Sequence, residues 1–217
     1  MRNRVETSHG FRAPSEPRAR IRGRGHRIVD VQLRRWSRDE YDRMIDAGVL
    51  TPEDHVELID GEIVTVTPRQ SRHATAVRLA ETALRQAFGE HVDVRTQLPL
   101  ALDAASEPEP DVAVVSGSPR DYRDAHPSTA LLVVEVADTS LLFDRTTKAS
   151  LYARAGIADY WLLNLVDQIV EVHRTPQRSA DAPPTSRYAS VERYGPRDRV
   201  APLARPDRFI AVEDLLP

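Results

Sequence analysis

Eight consecutive residues, Ala130-Leu131-Leu132-Val133-Val134-Glu135-Val136-Ala137, are apolar except for one carboxylate. A strand with one wet face alternates apolar and polar residues, and this run does not. It therefore predicts a central strand over 130–137 that is covered on both faces. Such a strand needs helices on each side, which makes the fold class mixed α/β. The uninterrupted part, Ala130–Val134, is far too short to cross a bilayer, so no membrane partner is expected.

The flanking pattern supplies the other layers. Ser37 and Glu40 form a capping box before a helix that Gly48 ends, with Trp36 and Tyr41 spaced for a hydrophobic staple. Asp60-Gly61 between His55–Ile59 and Glu62–Thr67 is a strong hairpin signal. His73, Val77, Ala80, Leu84 and Ala87 recur at helical spacing, predicting a helix over 71–88 stopped by Gly89. Alternation from Val92 to Leu102 predicts one half-buried strand, and Asp111–Val115 a short one. A helix over 144–155 ends at Gly156, and Tyr160–Leu165 with Ile169–Arg174 reads as a second hairpin.

Charge is distributed unevenly. Residues 1–35 hold ten arginines against Glu6, Glu16 and Asp30, a net of +7, so a chain of −3 leaves −10 for the remainder. The chain thus reads as a disordered basic arm over 1–27 and one domain over 28–217, with a flexible Pro/Ser-rich loop at 175–187. The arm lacks the apolar stretch of a secretory signal, and a cytoplasmic location is expected. It reads as a solvated tail, or as a phosphate-binding segment acting through counterion release. Cysteine is absent, which excludes disulfides, thiolate metal sites and cysteine nucleophiles. The only lysine, Lys148, has no G-x-x-x-x-G before it, so a P-loop is excluded too.

Glu135 carries the most chemical information. A carboxylate inside a buried strand either keeps its proton or meets a cation. Asp111 opens the neighbouring strand, so two carboxylates at adjacent strand ends could hold Mg²⁺ or Mn²⁺, which prefer oxygen ligands. Singly, an ion pair with arginine explains Glu135 and a post-proline turn explains Asp111. Lys148 shares a helix stripe with Leu151, Tyr152 and Ala155, which puts an ammonium on the sheet-facing side. An i,i+4 pair with Asp144 is its ordinary explanation. His73 starts the apolar face of its helix and reads as a core histidine, while Glu62 and Glu109 read as solvated turn residues.

Taken in order, these residues resemble the PD-(D/E)XK superfamily, which has a restriction-endonuclease-like fold. Glu57-Leu58-Ile59-Asp60-Gly61-Glu62-Ile63, Pro110-Asp111-Val112, Glu135 through Ser140, Asp144 with Lys148, and Leu151 through Ile157 are similar to the Uma-type endonuclease family. Tyr160-Trp161 and Glu171-Val172 extend the likeness, which spans roughly residues 30–216. The resemblance implies a central mixed sheet flanked by helices and a Mg²⁺- or Mn²⁺-dependent DNA endonuclease. Asp111, Glu135 and Glu57 would be metal ligands and Lys148 would position the attacking water. The superfamily's lysine usually stands two residues after the acidic residue, where this chain has Ala137. Lys148 takes the role only if its helix returns the ammonium to the same pocket. A homodimer is expected from the way such enzymes pair their sites. The competing reading is a nuclease-fold module that binds nucleic acid or a protein without cleaving. A two-carboxylate glycosidase on Glu57 and Glu135 is a third, poorly served by 6% aromatic residues.

Overall fold

The computed structural model describes residues 33–66, 70–178 and 186–217. The expected basic arm at 1–27 and residues 179–185 of the expected loop lie outside the described residues. Helix α1 (Arg38–Asp46) starts with the Ser37–Glu40 capping box and buries Tyr41. A hairpin follows, β1 (Val56–Ile59) and β2 (Glu62–Thr65), paired antiparallel through Asp60-Gly61. Both turn residues are left-handed (φ 52° and 76°), the geometry that suits a two-residue hairpin loop. Gly61 is also required sterically, since a Cβ there would stand 2.9 Å from the Arg35 Cβ.

Helix α2 (Ser71–Phe88) covers one face of a six-stranded sheet: β3 (Val92–Arg95), β4 (Val112–Ser116), β5 (Leu132–Ala137), β6 (Asp159–Asn164), β7 (Ile169–Gln177) and β8 (Arg187–Tyr194). These strands lie in sequence order, and only the β5–β6 pair is parallel. A parallel pair needs a crossover. Here it is one helical stretch: α3 (Leu141–Phe143), a π-turn (Asp144–Lys148) and α4 (Ala149–Ala155).

Strand parity builds the two cores. Val112, Val114, Val134, Val136, Trp161 and Leu163 face α2 and the C-terminal Val212, Leu215 and Leu216. The alternate residues Ala113, Val115, Val133, Tyr160 and Leu162 face Tyr152 and Ala153 of α4. Every residue of β5 is buried, which is why its sequence shows no alternation.

Three boundaries differ from the periodicity reading by three residues or more. The expected strand over 92–102 stops at Arg95, because Gln97 turns left-handed (φ 55°) and donates its backbone N–H to Pro110 instead. Pro99 cannot supply a ladder donor, and Leu100 turns its N–H to the Pro108 carbonyl. Both ends of the expected loop at 175–187 are strand, since β7 continues to Gln177 and β8 starts at Arg187. The crossover helix begins at Leu141, not Asp144, and contains the π-turn.

Glu107 ties the hairpin to the 100–110 segment through its backbone N–H on the Leu58 carbonyl (2.7 Å). The residue is only 6% exposed. Burial pushes its carboxyl up to about 7, and Asp42 adds to this; Arg38, at 3.7 Å, only partly opposes it. The sign follows from linkage. A raised carboxyl favours folding below its unfolded value near 4.5 and loses that contribution as pH climbs through about 7. Glu107→Gln should therefore match wild type at pH 4 and exceed it at pH 8 by on the order of 3 kcal/mol in urea unfolding. A difference that does not change with pH would refute this.

Candidate active site

The residues predicted from sequence arrive from four elements. Glu57 comes from β1, Asp111 from the residue before β4, Glu135 from β5 and Lys148 from the end of the π-turn. Antiparallel pairing sets Val112 against Val134, so one more step of that register places Asp111 opposite Glu135. There the Asp111 N–H donates to Glu135 Oε2 at 3.3 Å. The hairpin lies alongside, since Leu58 and Glu107 form a bridge and thereby bring Glu57 in from outside the main sheet. The five residues Glu57, His73, Asp111, Glu135 and Lys148, together with Asp144, line a cavity of about 530 Å³.

Lys148 is 4% exposed and stands between two carboxylates. Its Nζ donates to Glu135 Oε1 at 3.0 Å and lies 3.2 and 3.1 Å from the two oxygens of Glu57. The i,i+4 partner suggested by local spacing, Asp144, accepts instead from the Ser140 hydroxyl at 2.5 Å. The lysine's contacts are therefore tertiary, not helical. The π-turn adds a residue to one turn of the helix and buries both Asp144 and Lys148.

Three further side chains hold the carboxylates, and no local sequence pattern marks them as site residues. His73 Nε2 is 3.1 Å from Asp111 Oδ2, so the residue read as core touches the candidate site. The Val136 N–H donates to the same oxygen at 2.9 Å. The Tyr152 hydroxyl donates to Glu135 Oε1 at 2.6 Å. Gln97 Nε2 reaches Asp111 Oδ1 at a long 3.4 Å. Glu109, read as a solvated turn residue, lines the cavity and has partners of its own. Glu62 is the exposed surface group expected, paired with Arg35 at 2.6 Å.

The electrostatics separate the acids. Burial pushes Glu135 up to about 8; Lys148 pulls it back, and Asp111, Asp144 and Glu57 push it further up. Burial likewise raises Asp144 to about 6. Burial would raise Asp111 too, but the His73 contact, the Val136 N–H and the Lys148 charge outweigh it and hold it low. Lys148 keeps its proton, because Glu135, Glu57 and Asp144 outweigh its own desolvation. Asp111 is thus the readily ionised carboxylate, and Glu135 is the one that takes up a proton first as pH falls.

Among the described residues, no three acidic or histidine side chains are closed into a ready cation cage. The donor chemistry nevertheless suits a hard divalent ion, which takes carboxylate oxygens and keeps several waters. Asp111 Oδ1 and Glu135 Oε2 carry only long contacts of 3.4 and 3.3 Å, leaving lone pairs available. No helix of the described residues is long and apolar enough to cross a membrane.

Comparison with known proteins agrees with this architecture. No curated protein matches the chain. The structure is similar to a crystal structure titled a "putative nuclease belonging to DUF820" from Anabaena variabilis, with a TM-score of 0.61 at 16% identity. The match covers 82% of this chain and 95% of that one, and at this identity it shows a shared restriction-endonuclease-like fold. The Uma2 family model, described as "Putative restriction endonuclease", matches residues 38–203. That span contains the hairpin, both flanking helices and all four predicted site residues, and the chain belongs to the Uma2 family.

Proposed function

We propose that the protein is a divalent-cation-dependent nuclease that hydrolyses phosphodiester bonds in DNA. The observation that carries this reading is a buried ammonium between Glu57 and Glu135, beside Asp111, in an open cavity. Family membership supports a nuclease; DNA as substrate and Mg²⁺ or Mn²⁺ as the ion are the finer parts of the proposal. Asp111 and Glu135 would hold the cation, with Glu57 a further carboxylate beside it. When bound, the ion polarises the phosphoryl oxygens and makes a coordinated water more acidic.

The remaining roles belong to side chains. Lys148 offers a compact donor to the attacking water and to charge developing on the phosphoryl group. Glu57 and Glu135 hold the ammonium in place. His73 and the Val136 N–H fix Asp111, and the Tyr152 hydroxyl fixes Glu135, so the acidic pair does not reorganise as charge builds.

Wild type should nick supercoiled plasmid only when Mn²⁺ or Mg²⁺ is added, and Glu135→Gln should lose activity by about a hundredfold or more. The chemistry also predicts a pH dependence of ion binding. Below about 8 the Glu135 carboxyl keeps a proton that a cation must displace, so Mn²⁺ affinity by calorimetry should rise from pH 6 to pH 8. Affinity independent of pH would remove Glu135 from the ligand set. Retained DNA binding with no nicking at any pH would select the non-cleaving module instead.

A further inference from the structure

We propose a second ligand site, for a phosphate group, in the groove between the crossover helix and β7–β8. The π-turn that sends Asp144 and Lys148 into the acidic cavity sends Arg145 and Thr146 to this groove. Its volume is about 440 Å³, within the range of small-ligand pockets and larger than a bare ion needs. The charge is opposite to that of the first cavity: Arg145, Arg187 and Arg193 line it against one carboxylate, Glu171.

Glu171 is already engaged. It accepts from Arg145 Nε at 3.1 Å and from Arg145 NH2 at 2.5 Å, and Asn164 donates to it at 3.1 Å. Arg187 and Arg193, both exposed on β8, have no ion pair or side-chain hydrogen bond among the described residues. Arg193 stands directly across from Glu171 in the β7–β8 register, yet Glu171 is paired with Arg145. Both therefore line the groove with no carboxylate among the described residues already paired to them.

The floor supplies a second, independent observation. His173 is 5% exposed, and its Nε2 is buried with no hydrogen-bond partner. Glu171 Oε2 is 3.8 Å away, beyond hydrogen-bonding reach. The ring is held by Tyr160 and Tyr188, with centroids 5.1 and 5.7 Å distant, so it cannot turn freely to find another partner. An orphaned buried imidazole nitrogen costs free energy unless a ligand satisfies it. Burial also lowers its pKa to about 4, so the ring is neutral near pH 7 and offers a single N–H without adding charge.

Unpaired arginines, an unpartnered buried imidazole nitrogen and the Ser150 hydroxyl suit the several oxygens of a phosphate better than the two of a carboxylate. That the phosphate is carried by a nucleotide or a nucleic-acid backbone rests on the nuclease reading; the phosphate itself does not. The site lies outside the acidic cavity, so its occupation requires no metal.

The test is binding to the full chain in EDTA, so that cleavage plays no part. Inorganic phosphate, a 5′-mononucleotide and a short single-stranded oligonucleotide are titrated separately, with NMR or calorimetry as readout. Wild type should bind at least one of these probes, and Arg187→Ala/Arg193→Ala should weaken that binding about tenfold or more. Both positions are exposed, so the variant keeps the core. Glu135→Gln should bind as wild type does. Binding of the mononucleotide identifies a free nucleotide as the carrier, and binding of the oligonucleotide alone identifies backbone phosphate. The proposal is overturned if no probe binds, if the arginine variant binds unchanged, or if Glu135→Gln alone alters binding, which would put the ligand in the acidic cavity. Plasmid nicking is unaffected by these outcomes, so failure here and failure of the nuclease reading are told apart.

Discussion

Lys148→Met is expected to lower the rate of cation-dependent plasmid nicking by about a hundredfold or more, the scale for loss of a positioned electrostatic group. The ammonium is the one cation among the described residues that contacts both Glu57 and Glu135, so nothing nearby replaces it. Methionine fills the stem's volume but leaves two buried carboxylates uncompensated, which costs about 3–5 kcal/mol when both are ionised. Glu135 relieves this by keeping its proton, and more firmly once the Lys148 charge that pulls its pKa down is gone. The variant should accordingly be better folded at pH 6 than at pH 8, and its rate should be compared at pH 6, where a thermal melt verifies the fold. Lys148→Arg keeps the charge but brings a planar fork into a space shaped for a compact group, and should rescue poorly. Full cleavage by the arginine variant would make Lys148 a structural ion-pair residue. So would a methionine variant whose rate falls only in proportion to its folded fraction.

Trp161→Ala is expected to destabilise the domain by about 3–5 kcal/mol, a large share of the roughly 5–15 kcal/mol that holds such a domain folded. Trp161 lies on β6, has no exposed surface, and packs in the core between the sheet and α2. Its removal opens a cavity that the rigid six-stranded sheet cannot close. The indole N–H also donates to Asp159 Oδ1 at 3.0 Å, but Asp159 keeps Arg174 at 2.8 Å and the Leu203 N–H at 2.7 Å. Trp161→Phe should therefore cost much less, about 1–2 kcal/mol, because it keeps most of the volume and strands no charge. Equal losses for alanine and phenylalanine in urea unfolding would mean that the hydrogen bond dominates and the packing argument is wrong.

These two residues mark how differently the fold and the site are written in the chain. Trp161 sits in an apolar segment flanked by turn signals, and its burial follows from a strand covered on both faces. Lys148 is conspicuous because an ammonium occupies an apolar stripe beside Leu151 and Tyr152, and Glu135 because a carboxylate interrupts an apolar run. A charge out of place in a local pattern is legible without coordinates. A polar residue that fits its local pattern is not, which is why His73 read as core and Tyr152 as packing.

Local chemistry in the sequence thus determined the Ser37–Glu40 cap, the Asp60-Gly61 turn, the helix Ser71–Phe88 and the wholly buried strand that holds Glu135. Each depends on residues within a few positions of one another, where backbone geometry and hydrophobic period act directly. Tertiary structure alone decided that β3 ends at Arg95, that a π-turn interrupts the crossover helix, and that Lys148 turns to Glu57 rather than Asp144. It also decided that His73 meets Asp111, 38 residues away, and that three arginines and an orphaned histidine share a groove behind the helix. Such contacts join positions separated by tens of residues, and they are set by which strands pair, in what register, and which helix crosses them. No local period records those choices, because the free energy that selects them is spread over the whole packed sheet.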